Sequence, residues 1–459
     1  MSAVLWGILA YLVLQFGIGA YVSRRIRTES DYIVAGRQLG YGLATFSIFA
    51  TWFGAETTIG SAGAVYGSGL TGATSDPFGY GACLLIMGVV FAAPLWRRKL
   101  TTLADLFRQR YSPGVEKLAV LLMVPASLLW AAAQIRAFGQ VISASAGIGV
   151  SVTITVAAGI VVAYTAFGGM LADAWTDLIQ GIVLVVGLLV LFGALLLSTG
   201  LEPFTAIPAA RLDPFAGGAS ALGVIEEWAI PICGSVVAAE LVSRVISARS
   251  PEVAKRSSLV AGGGYLILGL IPVTVGLAGS VLLPGLEDPE QILPLLAQRL
   301  LPGALYVILA GALISAILST VDTTLLVCSS LVSHNLIVPA RPGMSERSKV
   351  RIARGGVAIF GVLAYIIALH ADGVYALVEE ASSFGSAGIF TVVTIGLFTT
   401  WGRAAAAIAS LLGGVIAWVL GAYVLGLDLP YLTSLLVSIA AYAGVALLQR
   451  QRQPTILRA

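Results

Sequence analysis

Long apolar runs, separated by short polar connections, occupy almost the whole chain. Most are about 20 residues long, the length that an α-helix needs to cross a bilayer. The pattern predicts about thirteen spanning helices, at 3–22, 41–67, 77–96, 115–143, 148–168, 172–199, 223–247, 256–283, 301–335, 347–370, 373–399, 402–424 and 430–449. Two connections also favour short helices: an amphipathic one at 101–118 and a Pro-bounded one at 284–300.

The composition places the chain in a class. Of its 459 residues, 58% are hydrophobic and only 11% are charged, which exceeds the apolar content of soluble globular proteins. We therefore expect an all-α integral membrane protein, with residues 1–459 forming one transmembrane domain in the cell (plasma) membrane. The lipid bilayer is then its main partner, and we expect no nucleic-acid partner and no obligate protein partner. We also expect the run 3–22 to be retained as a helix, since no basic segment precedes it.

Basic residues mark alternate connections between the predicted helices. They lie at 24–37, 97–110, 244–256, 341–354, 403 and 450–458. The intervening connections hold almost none, apart from Arg211 and Arg299. By the positive-inside rule, this predicts an outer N-terminus and a cytoplasmic C-terminus. The alternation also supports the helix count, because one missed helix would disturb it.

The span 41–67 is interrupted. Gly54 and Gly60 break its apolar run, and Glu56 lies near its middle, where a charge costs roughly 2.5–3.5 kcal/mol. Broken backbone at that depth is tolerated only where it faces protein, water or a ligand. Its free carbonyl oxygens suit a small cation, so the stretch predicts half of a cation and solute site. The alternative is a glycine-rich packing face with a structurally paired Glu56.

A second interruption follows about 180 residues later. Pro231 and Gly234 break the span 223–247, and Glu240 lies in its later half. Broken helices at corresponding positions of two halves indicate an inverted-repeat transporter. We expect a five-plus-five inverted repeat whose first and sixth core helices are discontinuous. Its parts are an extra N-terminal helix and loop at 1–40, repeats at 41–199 and 223–399, and two C-terminal helices at 400–459.

One face of the span 301–335 is polar. Positions i, i+3, i+4 and i+7 of this face are Ala316, Ser319, Thr320 and Thr323. Hydroxyls that face unwound carbonyls make the neutral oxygen cluster that Na⁺ requires, although Ser and Thr also bond to carbonyls of their own helix. Asp322 flanks this face. Asp177 begins another span, either as an interfacial acid or as part of a second ion site.

Several motifs together resemble the sodium/solute symporter family, which includes sodium–glucose, sialic acid, proline and choline carriers. They are DYIVAGRQLGYG, ATWFGAETTIGSAG, AYTAFGGMLADAWTDLIQG, SRVISARS and SAILSTVDTTLLVCSSLVSHNL, and they cover residues 30–335 in the family's order. The resemblance implies the five-plus-five fold and sodium-coupled symport of a small-molecule solute by alternating access.

The resemblance also implies two sets of sodium ligands. The family's principal sodium site falls here on the carbonyls of Ala50, Phe53 and Ala316 and the hydroxyls of Ser319 and Thr320. Some members hold a second sodium, for which the matching residues are Asp177, Asp322 and Thr323. Asp322 stands where several members have a hydroxyl, which leaves the sodium stoichiometry open.

Within the family, the sequence most resembles the high-affinity choline transporter branch, which surrounds a quaternary ammonium with aromatic rings. Ala238 stands where that branch has the ring of the second broken helix. The residues expected to bind solute are Trp52, Glu56, Thr57, Tyr80, Trp130, Gln134 and Glu240. This set suits a cationic or zwitterionic amine such as choline or betaine. Arg136 is either a ligand for a carboxylate or the partner of an acidic neighbour.

Three other functions compete with amine symport. One is sodium symport of an amino acid, a sugar or a monocarboxylate. Another is a solute sensor that transports nothing, although the sequence contains no output domain. The last is an intramembrane enzyme using Asp177 and Asp322, but no hydrolytic motif accompanies these acids. We therefore expect that the protein is not an enzyme.

Overall fold

The computed structural model of the chain is built from α-helices. It describes residues 26–165, 169–215 and 220–451, together with positions 6, 13, 17 and 21. The helices of the first half are α1 (Glu29–Val34), α2 (Tyr41–Trp52), α3 (Ser61–Ser68), α4 (Tyr80–Ile86), α5 (Ala92–Arg97), α6 (Ala104–Arg110), α7 (Pro113–Ala146), α8 (Val150–Thr165), α9 (Met170–Thr199), α10 (Glu202–Thr205) and α11 (Ala209–Leu212). The predicted helix 3–22 lies outside the described stretches.

The second half continues in the same way. Its helices are α12 (Ala221–Ala229), α13 (Ala239–Ser247), α14 (Pro251–Leu282), α15 (Ile292–Leu300), α16 (Gly303–Val332), α17 (Val338–Ala340), α18 (Glu346–His370), α19 (Val374–Ser383), α20 (Ser386–Phe398), α21 (Ala404–Val419) and α22 (Pro430–Gln451). Within the described stretches, the only strand-like contact is a single bridge between Leu39 and Ala248. The expected short helices at 101–118 and 284–300 are present as α6 and α15.

The length and composition of the helices confirm a multi-pass membrane protein. In the described part of the chain, 8 helices can cross a membrane, or up to 10 if each of two bent pairs is one span. The count of about thirteen stays a prediction. Helix α2 has only 12 residues and α8 has 16, so neither qualifies by length alone.

The first predicted break lies where the sequence placed it. Helix α2 ends at Trp52, and Phe53 leaves the helical conformation with φ −83° and ψ 62°. A wide π-helical turn, Glu56–Gly60, then leads into α3. Glycine is required at position 54, because a Cβ there would lie 2.6 Å from Thr320 Oγ1. The break is therefore shaped by its contact with α16.

The second predicted break is also present, and a further one appears. Helix α12 continues through the π-helical turn Ile230–Gly234 and bends by 44° into α13. A Cβ on Gly234 would lie 2.1 Å from the Ser382 carbonyl oxygen, so the bend depends on close approach to α19. The stretch 373–399, expected as one span, is bent by 43° between α19 and α20. At this bend Gly385 has φ +68°, which a side-chain-bearing residue rarely adopts.

Helix α16 occupies the centre of the bundle. It is buried on all sides from Leu309 to Leu331 and packs against α7, α9, α18 and α2. A helix buried all round belongs to the interior of a bundle, so its hydroxyls face protein and not lipid. Helices α9 and α14 also pack on α2. The first broken helix is thus enclosed by three long neighbours.

Two carboxylates, one buried and one partly buried, cap distant helices. Glu226 of α12 accepts hydrogen bonds from the amides of Tyr431 (2.6 Å) and Leu432 (2.7 Å) at the start of α22. Carboxylates at a helix N-terminus satisfy free amides and complement the helix dipole. Glu226 therefore attaches the second broken helix to the C-terminal helix.

Glu290, in the connection before α15, plays the same part for α19. Its Oε1 accepts from the amides of Val374 (2.6 Å) and Tyr375 (3.3 Å). Burial raises the pKa of Glu290, whereas the two amides act in the opposite direction. The backbone of Glu290 lies against α3, where a Cβ on Gly63 would be 3.1 Å from its Cα. This connection thus joins α3 to α19.

Replacing Glu226 with Ala leaves the first amides of α22 without their carboxylate. We expect Glu226→Ala to lower the stability of the protein by about 2 kcal/mol, because charged hydrogen bonds at a cap are lost. The measurement is the apparent melting temperature of the purified protein in detergent. Glu227→Ala is the matched control, since Glu227 is adjacent and exposed. Equal melting temperatures for the two variants would contradict the capping role.

Candidate functional site

A cluster of neutral oxygens lies between the first break and α16. The Thr320 hydroxyl is within hydrogen-bonding distance of the carbonyl oxygens of Thr51 (3.0 Å), Ala316 (3.2 Å) and Ala50 (3.4 Å). Carbonyls of unwound helices and nearby hydroxyls are the ligands that transporters offer to Na⁺. The structure thus brings together Ala50, Ala316 and Thr320, as the sequence predicted. Phe53 directly follows the last residue of α2, and its ring packs against that of Phe49 with the ring centroids 5.0 Å apart.

Ser319 faces the neighbouring helix α9. Its hydroxyl donates a short hydrogen bond to Asp177, and the Ser47 hydroxyl donates to Asp177 Oδ2 at 2.6 Å. Both oxygens of the Asp177 carboxylate therefore accept hydrogen bonds from hydroxyls, of which that of Ser319 is a predicted sodium ligand. Since Ser319 precedes Thr320 directly, Asp177 lies next to the oxygen cluster.

Beside Asp177 lies a buried guanidinium. Arg244 Nη2 is 2.5 Å from Asp173 Oδ2 and 3.2 Å from Asp177 Oδ2. Its Nε donates to the Thr51 hydroxyl at 3.0 Å, and Nη2 makes a short contact with Thr323. The sequence analysis counted Arg244 among the basic residues of a connection. The structure places it inside α13, fully buried, where its two acidic partners fix its position.

The three residues predicted for a second sodium form hydrogen bonds with different neighbours. Asp177 and Thr323 both touch Arg244. The Asp322 carboxylate instead accepts a short hydrogen bond from Thr165 of α8. Asp322 and Thr323 are neighbours in the sequence, but on a helix successive residues point about 100° apart. Asp322 thus turns towards α8 while Thr323 turns towards Arg244.

The predicted aromatic residues meet next to the break. The rings of Trp52 and Trp130 make an edge-on contact with centroids 4.9 Å apart. One turn beyond Trp130, Gln134 Nε2 donates to Glu56 Oε2 at 2.9 Å, and Gln134 Oε1 accepts from the Ala55 amide at 3.0 Å. Gln134 therefore holds both the open backbone and Glu56, which is 1% exposed.

Thr57 belongs to a second acidic group that the sequence analysis missed. Asp76 Oδ2 accepts hydrogen bonds from Thr57 Oγ1 (3.0 Å) and Tyr265 OH (3.1 Å). Asp76 is fully buried in the membrane part of the fold. The signal was available, because an acidic residue within an apolar run is the rule that identified Glu56. Tyr265 carried no such signal.

Glu240 lies on a cavity next to the second break. It is the second residue of α13 and is 2% exposed. The cavity is also lined by Ser127, Trp130, Ala238, Ser382 and Phe384. The Tyr80 hydroxyl contacts Ser382 Oγ at 2.9 Å, so this predicted residue touches the cavity wall.

Arg136 is directed elsewhere. Its Nη2 donates to the carbonyl of Asp372 at 3.1 Å, in the connection before α19. This contact is with a backbone carbonyl and is neither of the two roles considered for Arg136.

Comparison with known proteins identifies the family. The sequence model of the sodium:solute symporter family matches residues 32–414. The chain belongs to the sodium:solute symporter family. Among its relatives is the high affinity choline transporter 1 of Homo sapiens, which is 28% identical over 443 residues, or 90% of this chain and 76% of the relative. The high-affinity proline transporter PutP of Bacillus subtilis is 26% identical over 428 residues, covering 87% and 89%.

The fold of this symporter is also that of solved relatives. The substrate-bound, outward-open structure of a Na⁺-coupled sialic acid symporter superposes with a TM-score of 0.86 at 20% sequence identity, covering 98% of both chains. The chain is therefore a sodium-coupled symporter of a small solute, and the expected use of sodium is confirmed. The family and the solved relative are transporters and not enzymes.

The ion-paired arginine of this symporter gives a stability prediction. Arg244→Met leaves Asp173 and Asp177 buried without a cation, which we expect to cost about 3–5 kcal/mol. Adding Asp173→Asn should recover part of that loss, because one buried charge disappears with its partner. Thermal unfolding of the single and double variants measures both effects. Arg249→Met, at an exposed position, serves as the control. A double variant less stable than Arg244→Met would contradict this account.

Proposed function

We propose that this symporter couples sodium entry to the uptake of a small organic cation, an amine such as choline. One observation carries the proposal. A buried carboxylate, Glu56, lies directly after a helix break whose carbonyls meet the Thr320 hydroxyl, beside the indole pair Trp52–Trp130. The proposed sodium ligands and the groups that would recognise a cation thus adjoin around one opened helix.

The sodium site we propose consists of Ala50, Phe53, Ala316, Ser319 and Thr320. Carbonyl oxygens freed inside a membrane need a partner, and a monovalent cation supplies one without adding buried negative charge. The oxygens come from both α2 and α16. A bound ion would therefore hold the two helices together and complete the adjoining solute pocket.

Recognition of a cation agrees with the charges around the pocket. Indole rings attract ammonium groups through their faces. A zwitterion such as betaine or an amino acid would also need a cation for its carboxylate. Arg136 is turned to the Asp372 carbonyl, and Arg244 is held by two aspartates. The engagement of these two arginines supports the choice of a cation over a zwitterion.

The driving force follows from the charge of sodium. One Na⁺ that enters through 100 mV releases about 2.3 kcal/mol. A tenfold sodium ratio adds about 1.4 kcal/mol, so sodium alone supports a solute gradient of several hundredfold. For a monovalent cationic solute, the same membrane potential acts on the solute's own charge and adds a further factor of about fifty. We propose uptake across the plasma membrane in the orientation given by the basic connections, with the N-terminus outside. Alternate exposure of the pocket would complete the cycle.

We further infer that a single sodium ion accompanies each solute. The Arg244 guanidinium lies 3.2 Å from Asp177, the residue expected at a second sodium. A sodium ion bound to Asp177 would lie next to this guanidinium, and neighbouring cations repel each other strongly where the dielectric is low. We expect a Hill coefficient of 1 for sodium in uptake assays, and a reversal potential for a cationic solute that corresponds to two charges per cycle. A Hill coefficient near 2 together with three charges would contradict this inference.

The main test is uptake of radiolabelled choline into proteoliposomes, with and without a sodium gradient. We expect uptake that depends on sodium in the unaltered protein. Thr320→Val removes a sodium ligand, so the sodium concentration for half-maximal uptake should rise about tenfold or more.

The matched control is Thr324→Val. Thr324 is buried on the same helix, one turn further, and its hydroxyl bonds to the Thr320 and Val321 carbonyls of α16 itself. We expect it to leave the sodium dependence within about twofold. Sodium-driven uptake of proline or glucose, but of no amine, would refute the amine assignment. Binding of solute without uptake would instead favour a sensor.

A further inference from the structure

Exposed basic side chains are concentrated where α5 ends and α14 begins. We call this group the basic patch, and its six members are Arg97, Arg98, Lys99, Arg249, Lys255 and Arg256. All six are exposed. In the orientation proposed above, the patch lies at the cytoplasmic surface of the membrane, where anionic lipid headgroups are found.

Contacts between the two helices bring these residues to one place. Helix α5 packs against α14. Two close pairs, in which an added glycine Cβ would lie 2.4 Å and 2.8 Å from the partner side chain, are Gly81 with Leu266 and Gly88 with Leu259. The two segments therefore run antiparallel. The same register places Lys255 beside Ala92, about 8 Å along the axis from Arg97 and within reach of two long side chains.

The chain supplies no acidic partner for the patch. In the described part of the chain, none of its six residues forms an ion pair with a carboxylate. Glu252, on the same turn of α14 as Lys255, is exposed as well and makes no such pair. Arg98 donates only to a backbone carbonyl, that of Leu397, at 3.3 Å. The six like charges therefore repel one another without compensation by the protein.

Other basic residues at this end of the bundle are paired. Arg108 Nε lies 2.9 Å from Glu116 Oε2, and Lys349 Nζ lies 2.7 Å from Glu346 Oε1. The basic patch thus combines a high density of positive charge with the lack of an acidic partner.

An exposed apolar stripe continues from the patch along each helix. On α14, Val260 and Ile267 follow Arg256 by one and three turns and are exposed. On the other segment, the exposed Val89 precedes Arg97 by about two turns. Apolar side chains exposed on the outside of a membrane protein face the acyl chains of lipids. Basic and apolar groups thus follow one another in the order of a phospholipid's headgroup and tails.

Trp96 lies at the boundary between the two kinds of surface. Its Nε1 donates to the Ala248 carbonyl at 2.6 Å, and the Lys99 ammonium lies 3.3 Å from the centroid of its ring. Tryptophan is enriched at the headgroup level of membrane proteins, and lysine extends its ammonium from there towards the headgroups. The indole therefore indicates that the patch lies at headgroup depth.

We propose that the basic patch is a binding site for an anionic phospholipid, with the phosphate between the ends of α5 and α14 and the acyl chains along the two apolar stripes. Guanidinium and ammonium groups donate charge-assisted hydrogen bonds to phosphate oxygens. A soluble phosphate would satisfy the charges but leave the stripes uncovered, so the lipid fits more of the surface. The inference goes beyond the proposed function and is independent of the solute.

The proposed lipid borders the second broken helix. Helix α13 ends at Ser247, and the next residue, Ala248, accepts the hydrogen bond from Trp96. Helix α5 packs against both α13 and α14. A lipid that joins α5 to α14 would therefore also stabilise the end of α13.

The test compares two phospholipids that differ in charge. The full chain, purified in a neutral detergent, is titrated with phosphatidylglycerol or with phosphatidylcholine, and bound lipid is counted by native mass spectrometry. We expect half-saturation by phosphatidylglycerol at a concentration at least tenfold lower. Phosphatidylglycerol should also raise the apparent melting temperature more than phosphatidylcholine does. This comparison uses the unaltered protein, so it does not depend on the folding of a variant.

A soluble competitor distinguishes a lipid from a free phosphate. Glycerol 3-phosphate carries the phosphate without acyl chains, and we expect a hundredfold excess of it to leave phosphatidylglycerol bound. Displacement of the lipid by this competitor at equal concentration would show that the patch binds phosphate alone, and would overturn the proposal.

Variants then locate the site. The triple variant Arg97→Gln, Lys255→Gln, Arg256→Gln should reduce the preference for phosphatidylglycerol from at least tenfold to within about twofold. The matched control removes three exposed basic residues from other connections, by Arg347→Gln, Arg351→Gln and Arg403→Gln. We expect the control to keep the preference of the unaltered protein.

Two further results would contradict the proposal. One is an equal affinity of the unaltered protein for the two phospholipids. The other is an equal loss of preference in both triple variants, because the lipid would then be attracted by the positive charge of the whole surface and not by the basic patch.

Discussion

The opened backbone after Trp52 is the constraint on which the rest of the structure depends. A membrane offers no water to carbonyls and amides that leave a helix, so each must find a partner within the protein or in a ligand. The Thr320 hydroxyl lies within hydrogen-bonding distance of the carbonyl oxygens of Ala50 and Thr51. The side chain of Gln134 accepts a hydrogen bond from the Ala55 amide. The central position of α16 and the long helix α7 follow from this need. Both carry polar side chains to one short stretch of chain.

Buried charges divide into two kinds in this symporter. The Arg244 guanidinium pairs with both Asp173 and Asp177 and so joins α13 to α9. These contacts hold the two helices together. Glu56, Asp76 and Glu240 are buried as well, but none of them forms an ion pair with another described residue. Hydrogen bonds from neutral side chains, such as those of Gln134 to Glu56 and of Thr57 to Asp76, take the place of an ion pair there.

The sequence predicted the parts of this site that follow local rules. The first two breaks could be found because Gly and Pro interrupt apolar runs, and Thr320 because hydroxyls at i+3 and i+4 share one helical face. Other parts depend on contacts between distant segments. Tyr265 joins Thr57 across 208 positions, and no periodicity indicates such a pair.

Two further features were not predicted, because they too depend on contacts between distant segments. The sequence analysis assigned Arg244 to a connection because other basic residues follow it closely. Its burial is favourable only because Asp173 and Asp177 of α9 pair with it. The bend between α19 and α20 has a single glycine as its signal, which is too common in membrane helices to be decisive.

The contact of Glu290 with the start of α19 has a consequence for how α3 and α19 can move. Because the same connection also lies against α3, it cannot lift from one helix without losing the amides of the other. Separating this connection from α19 would break both hydrogen bonds at once. We therefore expect α3 and the start of α19 to move together in any change of shape of the carrier.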